Sequence, residues 1–341
     1  MLDLKFIRQN SDIVKSGCRK KGAKVDIDLL LDIDRKKLEA LRALEDMRSQ
    51  KNKATDVISK TKNKKEKDKL ILKMRELDTN SDRLTNDLKN LETELESFLL
   101  QIPNLAFEEV PEGRDERDNV VLRKIGEQTK FDFKPKDYLE LNKNLGWIDI
   151  ERAGKISGSR FGILKGEAVL LEFALINFAF DSLVKQGFIP VLPPVMLNPE
   201  MARGTGYLEA TGEEEAYFIP KDKLYLVGTS EQSLAAMHSG EIFQEKDLPK
   251  RYLAFSVCFR REAGSYGKDT KGILRVHQFD KLEMFSFCKP EDSKKEHEFL
   301  LEQQEKLMQA LKIPYRVVQI CSGDLGFPAA NQYDIEAWLP S

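Results

Sequence analysis

Residues 259–285 read FRREAGSYGKDTKGILRVHQFDKLEMF and gather side chains able to hold a ligand that is charged and flat. Arg260, Arg261 and Arg275 carry guanidinium groups, rigid forks that stay charged and match phosphate or carboxylate with paired hydrogen bonds. Phe279 offers an aromatic face, worth about 1–3 kcal/mol when a nucleobase stacks on it. Glu262 and Glu283 add carboxylates suited to an ammonium or a hydroxyl. At a period of two, Arg275, His277, Phe279, Lys281 and Glu283 share one strand face, while Leu274, Val276, Leu282 and Met284 lie mostly on the other. Such a face is either a solvated strand surface or the floor of a site.

An antiparallel hairpin must position these groups, because strand-forming runs flank a centre holding Gly264, Gly267 and Gly272. Upstream, KLYLVGTSEQSLAAMHSGEIF (223–243) reads as a strand, a turn at Gly228-Thr229-Ser230 and a helix, with Thr229 or Ser230 as N-cap. Glu231 then falls in a first helical turn, where the helix dipole favours an acid whether or not it binds anything. KGEAVLLEFALINFAFDSLVKQG (165–187) is a helix apolar around most of its circumference, expected to be buried and closed by Gly187. In FIPVLPPVML, Pro193 and Pro194 place the strand at an edge or interface. VVQICSGDLG and YDIEAWLPS are further strand candidates. Strands joined by hairpins and long helices, without regular β-α-β alternation, predict an α+β domain on an antiparallel sheet flanked by helices. Cys258 reads as a small buried residue, and His277 has no evident base or metal partner.

The N-terminal part has another character. Residues 28–100 are almost free of glycine and proline, and from Leu70 the apolar positions run Leu70, Met74, Leu77, Leu84, Leu88, Leu91, Leu95 and Phe98, with only Ser81 out of type. That spacing is a coiled-coil seam. A weaker seam passes through Leu30, Ile33, Ala40, Leu44, Met47, Ala54 and Ile58. The two predict an antiparallel helical hairpin whose tip is SKTKNKKEKDK. Lys60, Lys62, Lys64 and Lys65 make that tip basic, and lysines without interleaved aromatics suit contact with a phosphate backbone rather than base reading. A dimerising coiled coil with a solvated tip is the blander alternative. We place the arm at 1–104, an acidic, turn-rich linker at 105–119 and the second domain at 120–341.

Composition sets the limits. The chain has 341 residues, enough for two domains, and its formal charge of −2 means that a nucleic-acid partner must be met by a local patch. The N-terminus has no uninterrupted apolar core, so no secretory signal is expected, and no run nears the ~18 apolar residues of a membrane span. Cys18, Cys258, Cys288 and Cys321 are far apart and only three histidines occur, which argues against a zinc site or disulfide framework and for a reducing cytoplasm.

FRREAGSYGKDTKGILRVHQFDKLEMF closely resembles motif 2 of class II aminoacyl-tRNA synthetases in the form carried by seryl-tRNA synthetases. GFIPVLPPVML looks like motif 1, and GTSEQSL like the family's T-x-E serine-binding loop. CSGDLGFPAANQYDIEAW resembles the stretch before the third signature, and MLDLKFIRQNSDIV with its helical hairpin resembles the tRNA-binding arm. The resemblance covers essentially the whole chain. It implies ATP and L-serine as substrates, Mg²⁺ with the nucleotide, transfer of serine to tRNA(Ser), selenocysteine tRNA as a second acceptor, and a homodimer with 165–195 at its interface. Carried over by position, Arg260 holds the α-phosphate and the substrate carboxylate, Arg275 lies near the phosphates, and Arg261, Glu262, Val276 and Phe279 complete the ATP contacts. Thr229, Ser230, Glu231 and Glu283 bind serine. Lys60, Lys62, Lys64 and Lys65 meet tRNA. The loop 263–272, with Lys268, Asp269 and Lys271, closes over the nucleotide.

Two departures are visible. After Gly204-Thr205-Gly206 the chain has Tyr207-Leu208-Glu209-Ala210 instead of the family's Gln-Leu-Pro-Lys-Phe-like run. The family's motif 3, and a Glu and Ser that hold ATP and Mg²⁺, are not found before Ser341, so the sheet is expected to be incomplete and the 341-residue chain inactive alone. The alternatives are an inactive relative that only binds tRNA, a ligase that charges a carrier protein (such relatives lack the long arm), and a structural coiled-coil protein.

Overall fold

A computed structural model describes residues 2–60, 62–206, 208, 215–263 and 272–340. The chain divides into two units, Met1–Ala106 and Phe107–Ser341. Most of the loop 263–272 and of Tyr207-Leu208-Glu209-Ala210 lies outside the described residues.

The first unit is helical: α1 (Leu4–Gln9), α2 (Ser11–Lys20), α3 (Ile27–Lys60) and α4 (Lys64–Leu100). The last two form the expected antiparallel hairpin. Lys37 pairs with Glu92 at 3.4 Å, and Lys51, farther out, pairs with Asp78. Every residue of the α4 seam is buried or half-buried, Ser81 included. On α3, Lys37 and Lys51 occupy the beats missing from the apolar series, laying their stems along the seam and their ammonium groups on the opposite helix. At the base, Ile7, Val14, Cys18, Ile27, Leu30, Ile33, Leu95 and Ile102 form one core. Arg8 reinforces it with a bidentate pair to the buried Asp34 (2.6 and 2.8 Å).

The tip corrects one expectation. Most of the SKTKNKKEKDK tip, expected to separate the two helices, is itself helical; Lys60 ends α3, and Lys64 and Lys65 begin α4, with Asn63 capping Lys65 N–H at 3.1 Å. Lysine is a good helix former, so helix extends to Lys60 on one side and starts again directly after the capping Asn63 on the other.

The second unit contains β1 (Val120–Ile125), α5 (Tyr138–Leu145), β2 (Ile148–Asp149), α6 (Ile150–Ser157), β3 (Ile163–Leu164), α7 (Glu167–Val184), β4 (Ile189–Val191), β5 (Met196–Leu197), α8 (Pro199–Gly204), β6 (Phe218–Ile219) and β7 (Leu224–Leu226). They are followed by α9 (Ser230–Met237), β8 (Lys250–Phe259), β9 (Gln278–Phe287), α10 (Ser293–Ala310), β10 (Tyr315–Gln319) and β11 (Tyr333–Ala337). The strands form small sheets rather than one, ordered β1-β10-β11, β2-β3, β4-β8-β9 and β5-β7-β6. Antiparallel pairing dominates, and β8 and β9 pair along their whole length from Lys250↔Phe287 to Phe259↔Gln278. One pair departs from the all-antiparallel expectation: β4 lies parallel to β8, reached through a long crossover. As expected, β4 is an edge strand, while Pro193 and Pro194 lie outside it, in the irregular stretch that separates β4 from β5.

Helix α10 serves two cores. Phe299, Leu300 and Leu307 pack on Leu183, Phe188 and Leu253, while buried Leu301 joins Tyr315 and Val317. Its carboxylates also hold the sheets, Glu296 on Arg251 and Glu305 on Arg123. Residues 107–118 are tied into this unit. Phe107 N–H donates to Ala330 at 2.9 Å, and Ser322 N–H donates to Pro111 at 2.8 Å.

Two further expectations need correction. The strand face carrying Phe279, Lys281 and Glu283 starts only at Gln278; Arg275, Val276 and His277 precede the strand, so their alternation is not that of a pleat. Helix α7 is not buried. Ala179 and Leu183 face the core, but Leu170 is 69% and Phe173 56% exposed. An apolar circumference this wide cannot be covered by the elements on one side of it.

Candidate active site

Three local structures meet at the open end of the β8–β9 hairpin. The first is the turn from β7 into α9. Phe259 N–H donates to the Val227 carbonyl at 2.8 Å, which fastens this turn to the end of β8. Gly228 packs there at ordinary distance: a Cβ would lie 3.6 Å from the Phe259 oxygen and 3.7 Å from Arg260 Cγ. Thr229 caps α9, its Oγ1 accepting from Glu231 N–H at 3.2 Å.

The second is the stretch that leaves β8. Arg260 N–H donates to the His277 carbonyl at 2.9 Å, and Arg260 Nε donates to the Gly228 carbonyl at 3.1 Å. The Arg260 guanidinium carbon lies 5.3 Å from the centre of the Phe279 ring, close enough for a cation–π contact. Arg261 is exposed, and its N–H donates to the Glu215 carbonyl at 3.0 Å. Glu262 adopts a positive φ of 53°, and its Oε2 accepts from Arg275 Nη1 at 2.8 Å. Val276, half-buried, sits between Arg275 and His277.

The third is β9 itself. Glu283 Oε2 accepts from Thr229 Oγ1 at 2.8 Å and lies 2.5 Å from Lys281 Nζ, which also donates to Thr229 Oγ1 at 2.9 Å. Thr229, Lys281 and Glu283 therefore form one closed triangle.

Of the residues expected to bind serine, Thr229 and Glu283 are in direct contact, and Glu231 joins them through its backbone. Ser230 is different: it is fully buried, and its Oγ has no hydrogen-bond partner among the described residues. Its hydroxyl faces the interior, where an unmet group costs about 1–3 kcal/mol. Of the nucleotide set, Arg260 joins Phe279, and Glu262 joins Arg275. Lys60, Lys62, Lys64 and Lys65 are exposed at the arm tip in the other unit.

Three participants escape the sequence. Lys281 lies on the predicted strand face without a role there; its spacing of two from Glu283 is the available signal. His277 is held by main-chain carbonyls and aromatic rings, not by a base or metal. Its N–H donates to the Arg160 carbonyl at 2.9 Å, its Nδ1 lies 3.0 Å from the Arg260 carbonyl, and its ring meets Phe161 and Tyr217. Arg160, at φ 59°, also reaches the Glu262 carbonyl at 3.4 Å. Contacts over a hundred residues apart leave no local trace. Cys258 is buried as expected, and burial pushes its thiol pKa up.

The cluster offers an aromatic floor, a guanidinium beside it, and a carboxylate ringed by donors. That combination suits a substrate with a planar base, a phosphate and a small amino acid. Among the described residues, no three His, Cys, Asp or Glu side chains converge into a site that would hold a metal ion by protein ligands alone.

Comparison with known proteins follows the same division. Residues 1–106 match the family model described as the seryl-tRNA synthetase N-terminal domain, and residues 217–341 match the tRNA synthetase class II core domain (G, H, P, S and T). The serine–tRNA ligase of Alkaliphilus oremlandii is 46% identical over 344 residues, covering 100% of this chain and 81% of that protein. That of Thermodesulfovibrio yellowstonii is 42% identical with the same coverage. Among solved structures, seryl-tRNA synthetase from Pyrococcus horikoshii complexed with ATP superposes with a TM-score of 0.92 at 41% identity, covering 100% of this chain and 81% of that one. The cytoplasmic serine–tRNA ligase of Naegleria fowleri in complex with AMP gives 0.85 at 32% identity, covering 100% and 79%.

Proposed function

The chain belongs to the seryl-tRNA synthetase family, and from that premise we propose that the Thr229–Glu283–Arg260–Phe279 cluster is where serine is activated. The activity is that of a serine–tRNA ligase: ATP and L-serine give seryl-adenylate and pyrophosphate, and the seryl group then passes to the 3′ end of tRNA(Ser). In the first step a serine carboxylate oxygen attacks the α-phosphorus and the bond to pyrophosphate breaks. In the second, a terminal ribose hydroxyl attacks the seryl carbonyl and AMP leaves. No covalent enzyme intermediate is required.

One observation carries the assignment to these residues. Arg260 touches the Phe279 ring and the Gly228 carbonyl at once, so a single side chain joins a base-stacking floor to the turn that holds Thr229. Its remaining guanidinium N–H groups would bridge the α-phosphate and the serine carboxylate, placing nucleophile and electrophile together and stabilising charge as it builds on phosphorus. Phe279 would carry the adenine. Glu262, held by Arg275, would meet its edge, with Arg261 and Val276 beside it and Arg275 toward the phosphates. Glu283 would read serine, with Thr229, Ser230 and Glu231 shaping its surroundings. Mg²⁺ would enter with the nucleotide, held mainly by phosphate oxygens, and no step is assigned to it.

The arm belongs to the matched N-terminal domain, and members of the family bind tRNA. We assign Lys60, Lys62, Lys64 and Lys65 to tRNA(Ser) phosphates, with selenocysteine tRNA a second acceptor where the organism has one. The exposed apolar side of α7, including Leu170, Leu171 and Phe173, supports a homodimer through residues 165–195. No helix among the described residues is long and apolar enough to cross a membrane. Four unpaired cysteines fit work in the reducing cytoplasm.

The test is serine-dependent ATP–pyrophosphate exchange, followed by charging of tRNA(Ser), by the protein completed through the family's third signature, since the 341 residues alone are expected to be inactive. Exchange driven by another amino acid and not by serine would sink the assignment.

A further inference from the structure

A hydroxyl has one proton to give and two lone pairs to offer. Thr229 uses all three. It donates to Glu283 Oε2 at 2.8 Å, and it accepts from Lys281 Nζ at 2.9 Å and from Glu231 N–H at 3.2 Å. The Thr229 hydroxyl therefore has no capacity left for a substrate while this arrangement stands. Lys281 fixes its proton direction, because an ammonium can only donate and so the threonine proton must point to Glu283.

The load on Glu283 is one-sided. Both Thr229 and Lys281 meet Oε2, while Oε1 has no protein partner among the described residues, and the side chain keeps 18% exposure. Lys281 also balances the carboxylate charge at 2.5 Å. A second ammonium at Oε1 would share that carboxylate with a like charge, whereas a neutral hydroxyl would meet no such repulsion.

Resting on the reading of Glu283 as a serine contact, we propose that Lys281 is a positioning residue for substrate selection. It clamps Oε2 together with Thr229, presents Oε1 outward, and makes Glu283 a reader of the side-chain hydroxyl rather than of the α-ammonium group. A carboxylate oriented in this way would be left unpaired by alanine, which is the condition for strong rejection of a substrate lacking the hydroxyl.

The experiment measures exchange kinetics for the protein completed through the family's third signature and for its Lys281→Met, Lys281→Arg, Thr229→Val and Met/Val double variants, each with a thermal melt. Lys281→Met is expected to raise KM for serine about 10- to 100-fold, the range of a charged hydrogen bond, while KM for ATP stays within about twofold. The preference for serine over alanine should fall by a similar factor. Lys281→Arg should recover most of both losses, and Met with Val should be markedly less than additive, since the two side chains act on one oxygen. An unmoved serine KM in Lys281→Met, or equal rises in both KM values, overturns the proposal. Should Lys281→Met fail to fold, Lys281→Gln replaces it, because its amide still donates; an intermediate rise in serine KM supports the proposal and no rise overturns it. Absence of serine-dependent exchange in the wild type would instead overturn the reading of the site.

Discussion

Arg260 and His277 hold each other from both sides: Arg260 N–H donates to the His277 carbonyl at 2.9 Å, and His277 Nδ1 meets the Arg260 carbonyl at 3.0 Å. A carbonyl can only accept, so Nδ1 carries the proton in this contact. The histidine that has no evident partner in the sequence closes the mouth of the hairpin just beyond the last paired residues, Phe259 and Gln278.

His277→Phe keeps an aromatic ring against Phe161 and Tyr217 but removes the Nδ1 donor. We expect kcat for pyrophosphate exchange to fall about 10-fold, the equivalent of one net hydrogen bond, with little change in the melting midpoint. Unchanged kinetics in a folded variant would remove His277 from any part in placing Arg260.

Arg260→Lys keeps the charge and loses the fork. Adenylate formation should drop by roughly 10²–10³, as for loss of one donor aimed at transition-state charge. Single-turnover formation of seryl-adenylate is the measurement, and a change under a few-fold would exclude the role given to Arg260.

Reversing Lys60, Lys62, Lys64 and Lys65 to Glu should weaken tRNA binding and leave serine-dependent exchange near wild type. The slope of log affinity against log salt should also flatten, by about 0.7–0.9 for each phosphate that is no longer neutralised. Equal loss of exchange and binding would show that the arm supports the fold instead.

Glu296 gives a pH-dependent stability. Its hydrogen bonds from Arg251 (2.5 and 2.8 Å), aided by Ser286, hold the carboxyl below its ordinary value although burial opposes this. A depressed carboxylate pKa stabilises the fold fully above the unfolded value, about 4.3, and the benefit is lost as pH falls through the folded one. Glu296→Gln should therefore cost about 2–3 kcal/mol near neutrality, within the range for a buried pair whose arginine keeps some solvent. The gap between the two melting midpoints should close below pH ~4. A gap constant from pH 7 to 3 would refute this account.

Much of the arm is legible in the sequence because its signal is local. The seam from Leu70 to Phe98 repeats within one helix, and each beat is buried or half-buried where the spacing puts it. The Thr229 cap is readable for the same reason, since a cap is set by its own next residues. Arg260, Phe279 and Glu283 come from the resemblance of a long, residue-dense motif. What escapes is whatever depends on position in space. The apolar circumference of α7 reads the same whether a neighbour covers it or not, and the Lys281 contact with Thr229 spans 52 residues of sequence.

The buried residues of α3 and α4 are Ile27, Leu30, Ile33, Asp34 and Leu44 on one helix and Leu95 on the other, none of them beyond the middle of the arm. Beyond Leu44 the 34-residue α3 continues to Lys60 on half-buried contacts alone, through some ~24 Å of its length. Cohesion therefore thins with distance from the root, and amide hydrogens should exchange fastest near the far end and slowest beside Leu30 and Leu95. Such a stalk should behave as a graded spring, firmest at its own buried base and most compliant where its lysines lie. A bound polyanion would tighten that outer stretch, so part of any binding energy there would go into ordering helix, and the exchange gradient should flatten when tRNA is present.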